Sequence, residues 1–137
     1  MEFIAKSLNE TKLLAEKIAA QLQGNEIIVL NGDLGSGKTT FTKYLAKAIG
    51  VSDTVLSPTF NIVKTYRGKF VLNHFDMYRL TDASELEELG FDEIIYDDGI
   101  SVIEWNRAKL TKDFIQIDIA KVNENARKFS IEGIDLW

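Results

Sequence analysis

Hydrophobic positions along the chain follow two rhythms, and the switches between them mark out the elements. Ser7 followed by Glu10 has capping-box spacing, and Leu14, Ile18 and Leu22 then recur at helical intervals up to Gly24, which predicts an amphipathic helix stopped by that glycine. Ile27 to Leu30 is a short unbroken apolar run, as expected of a strand covered on both faces. Phe41, Leu45, Ala48 and Ile49 supply the buried stripe of a second helix. FNIVKTY and KFVLNHF flank Arg67-Gly68 as the arms of a hairpin, and DASELEEL reads as a short helix closed by Gly90. ISVIEW predicts another buried strand, and DFIQIDIA and ARKFSIEGI alternate as two late strands. The pattern implies an α/β fold whose sheet is mostly parallel at its centre, with antiparallel additions and helices on both faces.

Composition narrows the class. No repeat, low-complexity tract or linker divides the 137 residues, so the expectation is one domain spanning 1–137, with 45% apolar content to fill a single core. The absence of cysteine removes disulfides, thiol chemistry and cysteine-bound zinc. MEFIAKSLNETKLLAEKIA turns amphipathic at once, without an apolar signal-peptide core, and no later run is long enough to span a bilayer, so a soluble cytoplasmic protein with no membrane role is expected. The formal net charge of -5 argues against unaided binding of nucleic acid, which ordinarily needs a basic face to neutralise phosphates.

NGDLGSGKTTF at residues 31–41 changes the picture most. Gly32, Gly37, Lys38 and Thr39 fit G-x-x-x-x-G-K-[ST], with the apolar strand before it and the helix after it both present. Glycines let backbone N–H groups converge on phosphate oxygens, and the helix N-terminus adds partial positive charge. Lys38 is placed to reach the β- and γ-phosphates, and the Thr39 hydroxyl to ligate Mg²⁺. The fold expectation becomes a P-loop NTPase-like sheet. Such a site also needs an acid at a strand end, and two candidates compete: Asp76 closes FVLNHFD and Glu104 closes the apolar part of ISVIEW. Spacing does not choose between them. Pro58 restricts the backbone of SPTF, so Thr59 could approach the γ-phosphate, although the residues by themselves favour a plain loop before a strand. His74 reads as a hydrogen-bonded strand residue, and Arg79 as either a phosphate-facing arginine or a surface ion-pair partner.

GDLGSGKTTFTK, SPTF, HFDMYRL, ELEELGFDE and VIEW, in that order and over most of the chain, resemble the bacterial TsaE family, formerly called YjeE. The resemblance implies a small Mg-dependent ATPase, slow or inactive without partners. It also implies a need for this protein in forming threonylcarbamoyladenosine in tRNA, through the proteins TsaD and TsaB, with tRNA engaged only indirectly. It assigns Thr39 and Glu104 to the metal and Asp76 to a neighbouring, water-positioning place, with Lys38, Asp76 and Glu104 as the catalytic set. ATP would be held by Gly32, Leu34, Gly35, Ser36, Gly37, Lys38, Thr39, Thr40 and Thr59. Ser7, which also caps a helix, would lie near the base. Some relatives contact nucleotide through a basic residue of the late strands; Arg127 is not assigned to that role, because the preceding KVNENA does not align securely.

Asp82 to Asp98 carries eight acidic residues and no lysine or arginine, with Leu86 and Leu89 facing inward. A solvated face is the plain reading, and an acidic docking surface for a basic partner the functional one. A GTPase switch is disfavoured because TKDF at residues 111–114 puts its aspartate one place too early for a base-reading motif and no D-x-x-G follows a strand. A small-molecule kinase is disfavoured because the arginines Arg67, Arg79, Arg107 and Arg127 are scattered rather than gathered in a lid.

Overall fold

A computed structural model describes residues 1–58 and 61–136. The elements run β1 (Glu2–Ala5), α1 (Leu8–Gln21), β2 (Ile27–Asn31), α2 (Lys38–Ala48), β3 (Val63–Arg67), β4 (Val71–Asp76), α3 (Ser84–Leu89), α4 (Phe91–Tyr96), β5 (Ile100–Glu104), β6 (Ile115–Lys121) and β7 (Arg127–Glu132). All strands join one seven-stranded sheet in the order β1-β7-β6-β2-β5-β4-β3. The central four, β6, β2, β5 and β4, are mutually parallel, while β3 and the β7–β1 pair add antiparallel edges. The α/β expectation, with a parallel centre and antiparallel additions, therefore holds.

The unbroken apolar run of β2 has its physical counterpart in two cores. Ile28 and Leu30 point into a cluster with Leu14 and Ile18 of α1 and Phe41 and Leu45 of α2. Ile27 and Val29 point the other way, toward Leu86 of α3 and Phe91 and Ile95 of α4. Helices thus cover both faces, as parallel strands require. Phe41 is fully buried, its ring centroid 5.7 Å from that of Phe129 on β7, so it ties α2 to the sheet directly beneath the loop that precedes the helix. Phe41→Ala should cost about 3–5 kcal/mol of stability, read as a lower urea midpoint at unchanged slope.

Four local expectations are corrected. The first helix ends at Gln21, not at Gly24: Leu22 turns extended, its N–H closing on Ala19 O, and Glu26 accepts from the N–H groups of Gln23, Gly24 and Asn25. Ala48 is exposed; Ala46 takes its place in the stripe, because Phe41, Thr42, Leu45, Ala46 and Ile49 share one face at helical spacing and Ala48 lies off it. MEFIA forms an edge strand rather than leading straight into a helix, and pairs with β7 from Glu2↔Ser130 to Ala5↔Arg127. Gly90, in the left-handed conformation, both closes α3 and opens α4, a helix the charge-rich sequence did not announce. Of the acids between Asp82 and Asp98, all but the half-buried Glu85 are exposed, with Leu86 buried and Leu89 half-buried.

Candidate functional site

Parallel strands deliver their carboxyl ends to one edge of the sheet, and the site is built there. β2 runs out at Asn31, whose side-chain amide donates to Asp118 Oδ1 of neighbouring β6 at 2.9 Å. The chain then loops through Gly32–Gly37 and enters α2 at Lys38. Two glycines are demanded by the shape of this loop. A Cβ on Gly32 would stand 2.6 Å from Ile119 O and collide with the Ser36 side chain, and Gly37 sits at φ 108, a left-handed conformation most residues avoid. Ser36 N–H donates to Asp33 O at 3.0 Å, and the first helical bond runs from Phe41 N–H to Gly37 O. The N–H groups at the opening of α2 therefore precede the helical ladder and are available to an anion. The hydroxyl of Ser36, packed beside Gly32, is buried without a hydrogen-bond partner among the described residues.

Lys38 is almost wholly buried. Its ammonium donates to Gly32 O and, at 3.5 Å, to Asp33 O, and lies 3.8 Å from the centroid of the Trp105 ring. Burial pushes the Lys38 ammonium below the ordinary lysine value, while the carboxylates of Glu104, Asp76 and Asp33 pull it back up. The loop thus holds a partly desolvated cation close to three carboxylates.

The register of β4 against β5 sets Asp76 directly beside Glu104. Both acids considered from sequence therefore reach the same cleft, a cavity of about 310 Å³ lined by the loop, Thr39, Thr40, Ser57, Trp105 and Arg127. Their supports differ. Glu104 is 3% exposed, and His74 Nε2 donates to its Oε2 at 2.5 Å. Asp76 is half-buried, its carboxylate accepting from Ser57 Oγ at 3.3 Å and Tyr78 N–H at 3.0 Å. Among the described residues no group of three or more His, Cys, Asp or Glu is gathered to hold a metal by itself. One carboxylate with a threonine hydroxyl fits Mg²⁺ when phosphate oxygens and water complete an octahedron.

A second cavity, about 590 Å³, continues from the first past Gly37, Thr40 and Arg127, which line both. Ser7 lines it with Lys6, Leu8, Asn9 and Phe129. Ser7 also caps α1, as the capping-box spacing predicts, its Oγ accepting from Glu10 N–H at 3.1 Å. Together the cavities bring Ser7, Gly35, Ser36, Gly37, Lys38, Thr39, Thr40, Asp76 and Glu104 around one continuous hollow, with Leu34 exposed at the loop tip. Arg79 lines neither cavity, and Thr59 lies outside the described residues.

Sequence reasoning left Arg127 unassigned and passed over Trp105. Arg127 starts β7, far along the chain, yet its Nε donates to Ser36 O at 3.0 Å while Nη1 donates to Asn123 O and Ala126 O. It fastens the loop at the junction of the two cavities. Trp105 takes φ 55, a left-handed conformation unusual for an aromatic residue, which ends β5 sharply and lays the ring against Tyr78 and over Lys38. Its place immediately after Glu104 in VIEW was the only available signal.

A central parallel strand, a glycine loop and a helix, with two carboxylates at neighbouring strand ends, define an α/β protein of the P-loop architecture. A sequence model of the TsaE family, described as threonylcarbamoyl adenosine biosynthesis protein TsaE, matches residues 5–129. The chain belongs to this family. It is 42% identical over 135 residues to the tRNA threonylcarbamoyladenosine biosynthesis protein TsaE of Aquifex aeolicus, covering 95% of this chain and 94% of the relative. It is 38% identical over 129 residues to the protein of that name from Bacillus subtilis, covering 91% and 80%. The crystal structure of Bacillus subtilis YdiB superposes with a TM-score of 0.80 at 32% identity, over 96% of this chain and 83% of that one.

Proposed function

We propose that this chain binds and hydrolyses ATP with Mg²⁺, and that turnover serves threonylcarbamoyladenosine formation in tRNA through a complex of TsaD and TsaB. Its membership of the TsaE family supports the role in that modification. The observation that carries the nucleotide reading is the meeting of Lys38, Thr39, Asp76 and Glu104 around one cleft that opens into a cavity of base-and-sugar size beside Ser7.

In this reading the loop N–H groups and Lys38 hold the β- and γ-phosphates, and Thr40, Ser7 and Arg127 border the nucleoside. Thr39 and Glu104 hold the metal or its water shell. When bound, Mg²⁺ supplies neutralisation of the negative charge that builds on the phosphate oxygens. Asp76, partly open to solvent, orients the attacking water. Lys38 must leave the Trp105 face and the carbonyls of Gly32 and Asp33 to meet phosphate, so binding exchanges one set of acceptors for a stronger, charged one.

The net charge of -5 and the exposed acids of α3 and α4 are unfavourable for direct contact with a phosphate backbone, which supports a partner that carries the tRNA. Among the described residues no helix is long and apolar enough to cross a membrane. Calorimetric titration with ATP and GTP, followed by a search for a phosphorylated product, tests the assignment: saturable Mg²⁺-dependent ATP binding and release of inorganic phosphate alone are expected. GTP preference would favour a switch GTPase, and a phosphorylated small molecule would favour a kinase. Binding to purified TsaD–TsaB should differ between a non-hydrolysable ATP analogue, ADP and no nucleotide, because a nucleotide with equal effect in each state shifts nothing. The isolated chain should not bind bare tRNA at physiological salt.

A further inference from the structure

His74 is fully buried on β4, and its imidazole makes its hydrogen bond where the proposed chemistry needs rigidity. Alternation along β4 sends Leu72, His74 and Asp76 to the face covered by α1 and α2, while Phe75 faces α3 and α4. On β5 the same alternation puts Ile100, Val102 and Glu104 on that face. His74 is level with Val102, and Asp76 with Glu104, so His74 and Glu104 are diagonal neighbours across two parallel strands. Nε2 and Oε2 meet at 2.5 Å; an ionised carboxylate only accepts, so Nε2 carries the hydrogen. Nδ1 is buried with no hydrogen-bond partner among the described residues. The carboxylate of Glu104 is therefore the partner toward which the ring's hydrogen bonding is directed. Asp76 is held from a different side altogether, by Ser57 and the N–H of Tyr78.

We infer that His74 is a positioning residue: it pins one oxygen of Glu104 and so would hold this carboxylate in place for the Mg²⁺ of a bound nucleotide. This rests on the nucleotide reading above. A free glutamate side chain has three rotatable bonds, and a buried donor on Oε2 removes that freedom before the ligand arrives. A purely space-filling residue at 74 would leave Glu104 buried but unbraced.

Three replacements separate positioning from packing. His74→Leu keeps bulk and removes the donor; His74→Gln can place an amide N–H near the position of Nε2; His74→Asn carries its amide nearer the position of Nδ1 and falls short. ADP binding is measured by calorimetry across a Mg²⁺ series and in chelator, with thermal melting of each variant alongside. His74→Leu should need roughly 10–100-fold more Mg²⁺ for half-maximal enhancement of ADP binding, with affinity in chelator at the wild-type value. His74→Gln should recover most of the loss and His74→Asn little of it. If His74→Leu does not fold, the Gln and Asn pair decides, and equal Mg²⁺ requirements in those two overturn the inference. A wild-type Mg²⁺ dependence in folded His74→Leu, in a titration where Glu104→Gln shifts it, overturns the positioning role and leaves the nucleotide reading standing. Absence of nucleotide binding by the wild-type chain overturns both.

Discussion

Lys38→Ala should nearly eliminate the proposed ATP turnover and weaken ATP binding while the protein stays folded, the largest functional effect expected from a single substitution here. A hydrogen bond to a charged group contributes about 1.5–3 kcal/mol, so ATP affinity should fall by roughly 10–150-fold. The rate should fall further, because preorganised positive charge acts most strongly where negative charge builds in the transition state. Removing one such donor commonly costs about 10²–10³-fold in turnover. Stability should change little, for a reason visible in how Lys38 is held. Burial already pushes the Lys38 ammonium below its ordinary value, and only the nearby Glu104, Asp76 and Asp33 oppose that. Deleting the cation removes a desolvation cost together with its contacts to Gly32 O and Asp33 O. Calorimetry with ATP and a thermal melt read the two halves of this expectation. Unchanged affinity would refute the assignment of the loop to phosphate.

The second large effect distinguishes the two acids. Glu104→Gln should raise the Mg²⁺ concentration needed for half-maximal activity, because it exchanges a charged oxygen ligand for a neutral amide at a site with few protein ligands of its own. It should fold, since a glutamine carbonyl can still accept from His74 Nε2. Asp76→Asn should leave the Mg²⁺ requirement alone and lower the maximal rate by about 10²-fold or more, the scale for losing a group that takes or directs a proton. Their surroundings motivate the division: Glu104 is sealed and braced, whereas Asp76 is half-buried and held by the loop residue Ser57. A Mg²⁺ shift in Asp76→Asn with wild-type Mg²⁺ dependence in Glu104→Gln would exchange the two roles.

What the amino-acid sequence determined by itself is what local physics controls. The run Ile27–Leu30 could only be satisfied by apolar cover on two faces, and it has that cover. Gly32 and Gly37 mark places where a side chain would collide or strain the backbone, so the strand–loop–helix unit was legible before any tertiary contact was known. The alternation of the late strands foretold β6 and β7 in the same way. Tertiary structure decided everything that depends on register between segments distant along the chain. By spacing alone Asp76 and Glu104 were two competing strand ends, and it is the pairing of β4 with β5 that sets them side by side. His74 read as an ordinary strand residue because its partner is 30 positions away, and Arg127 could not be assigned because its contact with Ser36 O spans 91. MEFIA was missed as a strand because an edge strand of four residues, with Ala5 alone fully buried, carries too few buried positions to show its period and forms only where β7 offers hydrogen bonds. Periodicity records which face of an element is dry; only the packed sheet, through the pairing of its backbone groups, determines which side chains from different elements share a cleft.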